Sequence, residues 1–440
     1  MKKKLLAGIM ALALCSTSIP QMIFAEEFTS GVLEETTPEE TEEIPEVFTD
    51  ENQAAAGDEI GGVSEFSSEE VPEFDDESDN AAVATDGGDT TATSPIEISI
   101  NSPSNPSDPT SGYTYDSSTS ICTINKPGSY QFNGNGGETP NRIVIDNITS
   151  GTVNIYLNNV NISTNAGPAL LISNNVAAQV CIYLKSSNIL KTTEILSAAL
   201  QKNNSANLTI NSATSNSAGS LTAAAAADSA NGAGIGGGAN GNGSNITISG
   251  GSVTAYSAFN GSGIGGGSRG NGSGITISGG SVTAYSTFNG SGIGGGSRGN
   301  GSNIIILGGL VTAYSNQNGS GIGGGYNGNG SDITISGGSV KAYSNQNGSG
   351  IGGGYNDTVG GYNGNGSNIT ILGGSVTAYS TQHGSGIGGG YNGNGSGIAI
   401  LGGSVTAYSL RNGSGIGGGY GYNGIGGGYN GNGSDITISG

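Results

Sequence analysis

A tyrosine and a threonine recur in one short string, SVTAYS and its close variants, throughout the second half of this 440-residue sequence. If Val253 and Ala255 of one copy point inward, Thr254 and Tyr256 point outward, because side chains alternate along a strand. The tyrosines are Tyr256, Tyr285, Tyr314, Tyr343, Tyr379 and Tyr408, and the threonines are Thr254, Thr283, Thr312, Thr377 and Thr406. Exposed phenol rings can stack on the apolar faces of sugar rings, with hydroxyl partners beside them. The same rings could instead only stack on one another and stabilise the sheet.

Residues suited to catalysis are scarce in the same region. Cleavage of a polysaccharide needs clustered carboxylates, as an acid/base pair or as a calcium cradle. The repeats carry only Asp332, Asp357 and Asp435, which are far apart in sequence, and the single histidine, His383. We therefore expect no enzymatic activity. His383 replaces one member of an asparagine column, Asn260, Asn289, Asn318, Asn347 and Asn412, which we interpret as a structural ladder of stacked amides.

A 29-residue repeat places these columns. Its landmark isoleucines are Ile235, Ile264, Ile293, Ile322 and Ile351, followed by a step of 36 residues to Ile387 and one of 29 to Ile416. A fixed period of this length is typical of architectures in which each repeat stacks on its neighbours.

Within one repeat the pattern has a period of two. The isoleucines of ITIS at 246–249 share one face, and the Val and Ala of SVTAYS at 252–257 share another. An Asn-Gly-Ser turn precedes the first strand, Gly-Gly separates the two, and GxGIGGG supplies a third, weaker strand. Three short strands and three corners per repeat predict an all-β parallel β-helix, with coils about 4.8 Å apart.

Composition divides the chain into segments. Residues 1–25 have a basic start, an apolar core and a small-residue end, which predict a secretory signal peptide. Residues 26–96 predict an acidic disordered linker. Residues 97–139 predict an N-terminal cap with the first strands, and 140–440 the β-helix, whose glycine-rich repeats start at about 231. The sequence stops within a coil, so we expect the protein to continue beyond residue 440.

The distribution of charged and apolar residues limits the possible partners and the possible location of the protein. The net charge of −21 is misleading, because most of the 33 acidic residues lie in 26–89 and the remainder is nearly neutral. No basic stripe is present to displace counterions from phosphates, so we expect no nucleic-acid partner. No segment beyond the signal is long and apolar enough to span a membrane. We expect a secreted or cell-surface protein.

Four strings give a family resemblance: KPGSY at 126–130, VNIYLNNVNI at 153–162, NLTI at 207–210 and the repeated ITISGGSVTA. They resemble the bacterial secreted carbohydrate-binding domains, known from cellulose- and polygalacturonate-binding proteins, that are right-handed parallel β-helices. The resemblance implies the handedness and a polysaccharide partner, such as a plant cell-wall or host glycan. Some members bind calcium through an acid before the Gly-Ile of each coil. This sequence has Ser262, Ser291, Ser320, Ser349, Ser385 and Ser414 there, so calcium is implied by the resemblance only.

Two interpretations of function remain at this stage. The first is non-catalytic polysaccharide binding by the outward tyrosines and threonines. The alternative is a structural stalk or a protein-binding adhesin repeat without glycan binding. Cys15 leaves with the signal, and Cys122 and Cys181 could form a disulfide or pack as buried thiols.

Overall fold

The computed structural model describes residues 94–214, 219–357, 364–420 and 431–439. These residues all belong to one compact unit, Asp86–Gly440. The predicted signal peptide and nearly all of the predicted acidic linker lie outside the described residues.

The described chain forms three sheets that run side by side along its length. Sheet 1 contains β2 (Tyr113–Asp116), β3 (Ile121–Ile124), β5 (Arg142–Ile145), β8 (Leu170–Ile172), β11 (Leu200–Lys202), β14 (Ile235–Gly236), β17 (Ile264–Gly265), β20 (Ile293–Gly294), β23 (Ile322–Gly323), β26 (Ile351–Gly352), β29 (Ile387–Gly388) and β32 (Ile416–Gly417). Sheet 2 contains β1 (Ile96–Ser99), β4 (Gly128–Asn133), β6 (Thr152–Asn158), β9 (Gln179–Lys185), β12 (Leu208–Ser212), β15 (Gly243–Ile248), β18 (Gly272–Ile277), β21 (Gly301–Ile306), β24 (Gly330–Ile335), β27 (Gly366–Ile371), β30 (Gly395–Ile400) and β33 (Gly433–Ile438). Sheet 3 contains β7 (Asn161–Thr164), β10 (Ser187–Thr192), β13 (Ser220–Ala225), β16 (Ser252–Ser257), β19 (Ser281–Ser286), β22 (Leu310–Ser315), β25 (Ser339–Ser344), β28 (Ser375–Ser380) and β31 (Ser404–Ser409).

From β5 to β31 each coil contributes one strand to each sheet, and neighbouring coils pair in parallel. Equivalent residues of successive repeats pair directly, as Ile264 does with Ile293. The 36-residue step keeps this register, since Ile351 pairs with Ile387. Among the described strands only β2 and β3 pair antiparallel. The prediction of an all-β parallel β-helix with three strands per coil is confirmed, and its right-handedness stays a prediction.

The strands of the sheets also extend into the segment predicted as a cap. In that segment β3 pairs with β5 and β4 pairs with β6, both in parallel. Tyr130 and Phe132 of β4 are buried in the same core as the isoleucines of the later coils. Tyr130 thus occupies the position at which the later coils carry Ile155, Ile182, Ile210 and Ile248.

The core is filled by columns of identical aliphatic residues. Val253 and Ala255 are 1% and 0% exposed, and Ile246, Ile248 and Ile264 are fully buried. The apolar residues of β15 and β16 therefore point inward, as the period of two in the sequence predicts. Because each apolar residue packs on its equivalents above and below, the burial that stabilises one coil depends on its neighbours.

Buried serines close the corners between the sheets. The hydroxyl of Ser257 donates to the carbonyl of Gly232 at 2.9 Å, and the hydroxyl of Ser262 donates to the carbonyl of Gly266 at the same distance. Both serines are fully buried. A buried hydroxyl is tolerated only when it is hydrogen-bonded, and these bonds meet that requirement.

Cys122 and Cys181 are free thiols, so the interpretation that they form a disulfide is wrong. Cys122 points into the core from β3 in sheet 1. Cys181 lies on β9 in sheet 2, between the core residues Val180 and Ile182, and so faces the other way. The two sulfurs belong to different sheets and to opposite faces. Burial raises the pKa of the Cys122 thiol to about 12.

Lys202 supplies a pH-dependent contribution to stability. Its side chain is fully buried, and Nζ donates to the carbonyls of Asn204 at 2.8 Å and Ser244 at 2.6 Å. Burial lowers its pKa from 10.5 to about 8. Between these two values the unfolded chain holds a proton that the folded chain has released, so stability rises with pH in that window.

We expect this rise to disappear in the variant Lys202→Met. The thermal midpoint of the wild type should increase relative to that of the variant from about pH 8 to about pH 10.5, followed by circular dichroism. The variant is the control for every other titrating group, because only the lysine differs. Parallel pH curves for the two proteins would contradict the proposed burial cost.

Candidate functional site

The eleven predicted site residues all lie on the outer face of sheet 3. Tyr256 pairs with Tyr285, and the pairing continues without interruption to Tyr408. The threonines form a second column two residues earlier in each strand, broken once by Lys341. Thr254, Thr283 and Thr406 are exposed, and Thr312 and Thr377 are half-buried. We call this surface, from β16 to β31, the Tyr/Thr face.

The tyrosine rings pack on one another. The ring centroids of Tyr285 and Tyr314 are 5.0 Å apart with planes 3° apart, and those of Tyr256 and Tyr285 are 5.5 Å apart at 13°. The column is less regular around Tyr343, which lies at 53° to Tyr314 and at 75° to Tyr379. Stacked rings turn their faces toward each other, so ring edges and hydroxyls are left at the surface of the sheet.

The pKa values of the tyrosines in this column reflect their packing. Burial raises the pKa of the Tyr314 phenol to about 12 and also raises the pKa of Tyr285, with smaller contributions from the neighbouring phenols at Tyr285. Burial likewise raises the pKa values of Tyr343 and Tyr379. Like ordinary phenols, these side chains are protonated at neutral pH, and the hydroxyl of Tyr314 donates to Oδ1 of Asn316 at 3.4 Å.

The second predicted column is an amide ladder. The Nδ2 atom of Asn289 donates to Oδ1 of Asn260 at 3.1 Å, and Asn318 donates to Asn289 at 3.0 Å in the same way. His383 continues the ladder through Nδ1, which lies 2.9 Å from Oδ1 of Asn347. Burial and the charge of Arg411 lower the pKa of His383. The interpretation of this column as structural is confirmed.

The serines at the position implied for calcium ligands serve the corners instead. Each hydroxyl donates to the carbonyl four residues later, from Ser262 to Gly266 in the first case and from Ser385 to Gly389 in a later one. A hydroxyl engaged in this way, without a carboxylate beside it, does not fit a calcium site. Over the described ranges no three His, Cys, Asp or Glu side chains come together as a metal-binding group.

A polar groove was missed by the sequence reasoning. It has a volume of about 620 Å³ and is lined by side chains from five consecutive coils, at the corner where each coil enters sheet 2. Its asparagines are Asn271, Asn300, Asn329, Asn365 and Asn394, and the last four are joined by the serine two residues later in the same coil, with Asp332 beside them. The signal was the recurring Asn-Gly-Ser string, which was interpreted only as a turn. We call this site the Asn/Ser groove.

Six segments of the chain, each covering about one coil, match a known repeat family. The matched residues are 246–268, 275–297, 304–326, 333–355, 369–391 and 398–420. The family is the beta helix repeat. Its match agrees with the parallel strand order and the coil boundaries described above. No curated protein and no solved structure matches the chain.

Beta helix repeats by themselves do not specify an activity. The same fold carries different functions, so function has to be argued from the surface of the coils. Along the part of the chain that the structure covers, no helix has the length and apolarity needed to cross a membrane.

Proposed function

We propose that this protein binds an extended polysaccharide without cleaving it, through the Tyr/Thr face. The observation that carries the proposal is the continuous register of a tyrosine column over six strands, from β16 to β31, beside a threonine column that is interrupted only at Lys341. Their hydroxyls repeat at the strand spacing of about 4.8 Å. A sugar polymer offers hydroxyls at regular intervals, and many weak contacts along one chain add up to firm binding.

Because the rings stack on one another, the contacts that they can make with a sugar differ from those expected for exposed tyrosines. Rings that stack on one another, such as Tyr285 and Tyr314, cannot place their faces against a sugar. The contacts of the proposed site are therefore hydrogen bonds from protonated phenols and threonine hydroxyls, with ring edges beside them. The sugar chain would run along the columns, across the strands.

The proposal includes a location outside the cell, secreted or on the cell surface. Its support is the N-terminal sequence, in which three lysines precede an apolar stretch and a small-residue end at Ala25. Plant cell-wall or host glycans are the proposed partners on the strength of the resemblance of the coils to carbohydrate-binding β-helices.

The test removes the hydroxyls and keeps the packing. The variant Thr283→Val, Thr312→Val, Tyr285→Phe and Tyr314→Phe retains β-branched residues and stacked rings. We expect its retention on insoluble cellulose, or on whichever polysaccharide of a glycan panel retains the wild type, to fall by about tenfold or more, since several hydrogen bonds are lost. Its thermal midpoint should remain close to that of the wild type.

A matched control removes hydroxyls from another sheet. Thr276→Val and Thr334→Val change the outer face of sheet 2 and should leave retention unchanged. Equal retention by the wild type and the four-residue variant would reject the Tyr/Thr face as the site. A folded wild type retained by none of the polysaccharides would reject polysaccharide binding altogether.

A structural stalk or protein-binding adhesin repeat is the second candidate function. The observation that favours it is the ring-to-ring packing, because a column of stacked phenols stabilises a sheet without any ligand. This function requires that the four-residue variant and the wild type behave alike on every glycan, while loss of the rings through Tyr285→Ala and Tyr314→Ala lowers the thermal midpoint.

A further inference from the structure

The Asn/Ser groove presents a row of oriented hydrogen-bond donors. The backbone N–H of Asn300 donates to Oδ1 of Asn271 at 2.8 Å, and the backbone N–H of Asn329 donates to Oδ1 of Asn300 at 2.8 Å. The same bond recurs from Asn365 to Asn329 and from Asn394 to Asn365. Because only the oxygen of an amide can accept an N–H, these bonds fix which way each side chain is turned.

The amide nitrogens on the other side of these side chains remain available. Within the described residues, Nδ2 of Asn271, Asn300, Asn329 and Asn394 has no protein acceptor, whereas in the structural ladder of Asn260 and its equivalents both amide atoms are used. The four amides are exposed or half-buried and border the groove. An amide with its oxygen held and its NH2 group open is a positioned donor.

Serine hydroxyls run beside the amides. Ser302, Ser367 and Ser396 line the groove, are half-buried, and have no hydrogen-bond partner among the described residues. Each of the five coils therefore offers an open NH2 group, a serine hydroxyl or both, at intervals of about 4.8 Å along the groove. A ligand that uses all of them has to be elongated and has to present oxygen atoms at a similar interval.

This interval favours a sugar chain over a peptide. An extended peptide presents groups on the same side only every second residue, about 6.6 to 6.8 Å apart, and loses register with the coils after one or two contacts. One hexose of an extended β-linked polysaccharide advances by a distance close to the coil spacing, and it carries hydroxyls that both donate and accept.

The charge of the groove favours neutral over acidic polysaccharides. Asp332 lies in the middle of the lining, and it accepts hydrogen bonds from Nδ2 of Asn368 and from the hydroxyl of Ser331, both at 3.1 Å. A uronic acid at this coil would bring a second carboxylate close to the first, which is unfavourable. Three other coils carry Asn245, Asn303 or Asn368 at the equivalent position and two carry glycine, so the carboxylate is not needed for the turn.

We propose that the Asn/Ser groove is a second glycan site, separate from the Tyr/Thr face, that holds a neutral, extended polysaccharide along the axis of the solenoid. The four open amides and the serine hydroxyls donate to its oxygens, and Asp332 disfavours acidic chains.

The first test replaces the donors and preserves the hydrogen bonds that join the groove asparagines of neighbouring coils. In Asn300→Asp with Asn329→Asp an oxygen still accepts the backbone N–H of the next coil, while each NH2 group is replaced by an oxygen of a negatively charged carboxylate that cannot donate. We expect affinity for neutral hexasaccharides of β-linked glucose and mannose, measured on the full chain by calorimetry, to fall by about tenfold or more. Thr276→Val with Thr334→Val, which lie outside both the groove lining and the Tyr/Thr face, should leave this affinity unchanged.

The second test relaxes the selectivity with a substitution that the fold already uses. Asp332→Asn introduces the residue found in equivalent coils, so it should fold like the wild type. Hexagalacturonate should bind the wild type weakly and the variant several-fold more tightly, with the affinity for neutral hexasaccharides unchanged.

The outcomes separate this site from the Tyr/Thr face. Loss of binding only in Tyr/Thr-face variants would overturn the groove and leave the proposed function standing, and loss only in groove variants would do the reverse. Equal affinity of the wild type for neutral hexasaccharides and hexagalacturonate, or for an unstructured hexapeptide, would also overturn the groove assignment.

Discussion

Replacement of Gly294 by alanine is expected to disrupt the stack of coils. Gly294 has φ +130°, a conformation that residues with a side chain rarely adopt, and a Cβ atom there would lie 2.1 Å from the carbonyl oxygen of Gly323 in the next coil. The neighbouring coils would have to separate, although their parallel pairing depends on contact. We expect a loss on the order of 4 kcal/mol in the free energy of unfolding.

The control is a glycine in the same repeat where a methyl group would be much less crowded. A Cβ atom on Gly308 would lie 3.1 Å from the carbonyl oxygen of Ser278, and Gly308 does not have a left-handed φ. Gly308→Ala should change the free energy of unfolding by less than about 1 kcal/mol. Denaturant unfolding followed by circular dichroism measures both variants. Equal losses in the two variants would show that close approach of the coils at Gly294 is not what limits substitution.

The tyrosine column is expected to make the protein sensitive to alkaline pH. The pKa of Tyr314 is raised by burial to about 12, against about 10 in an unfolded chain. A raised pKa stabilises the fold below pH 10, and this contribution is lost as the pH rises through about 12, because the unfolded chain ionises first. Tyr285 shifts in the same direction for the same reason. Since Tyr314 is partly exposed, solvent screening reduces its share to about 1 to 2 kcal/mol.

The variant Tyr285→Phe with Tyr314→Phe isolates this effect. The rings still stack, but two phenols whose pKa values are raised by burial are gone, so the thermal midpoint should fall less steeply between pH 10 and pH 12 than in the wild type. Near-ultraviolet absorbance of the ionised phenols gives the pKa values directly. Titration of all tyrosines near pH 10 in the folded protein, or identical alkaline unfolding of variant and wild type, would contradict the stacked column.

The repeat and its inward and outward faces could be predicted from the sequence because both are periodic. A 29-residue spacing of Ile264 and Ile293 allows only stacked coils, and alternation in SVTAYS assigns Val253 and Ala255 to the core. Register follows as well, since identical residues of successive repeats pair most simply with each other. The Tyr/Thr face and the amide ladder of Asn260 were therefore predictable as columns.

Only the tertiary structure decided what those columns present to a ligand. The orientation of the Tyr285 ring depends on its side-chain torsions and on the neighbouring ring of Tyr314, whose centroid lies 5.0 Å away. No sequence pattern specifies that the ring faces turn toward each other along the column. Cys122 and Cys181 look alike in sequence, yet they lie in different sheets, which rules out a bond between them. The Asn/Ser groove arises because corners of separate coils align, so its lining comes from residues about 29 positions apart whose shared cavity exists only after stacking.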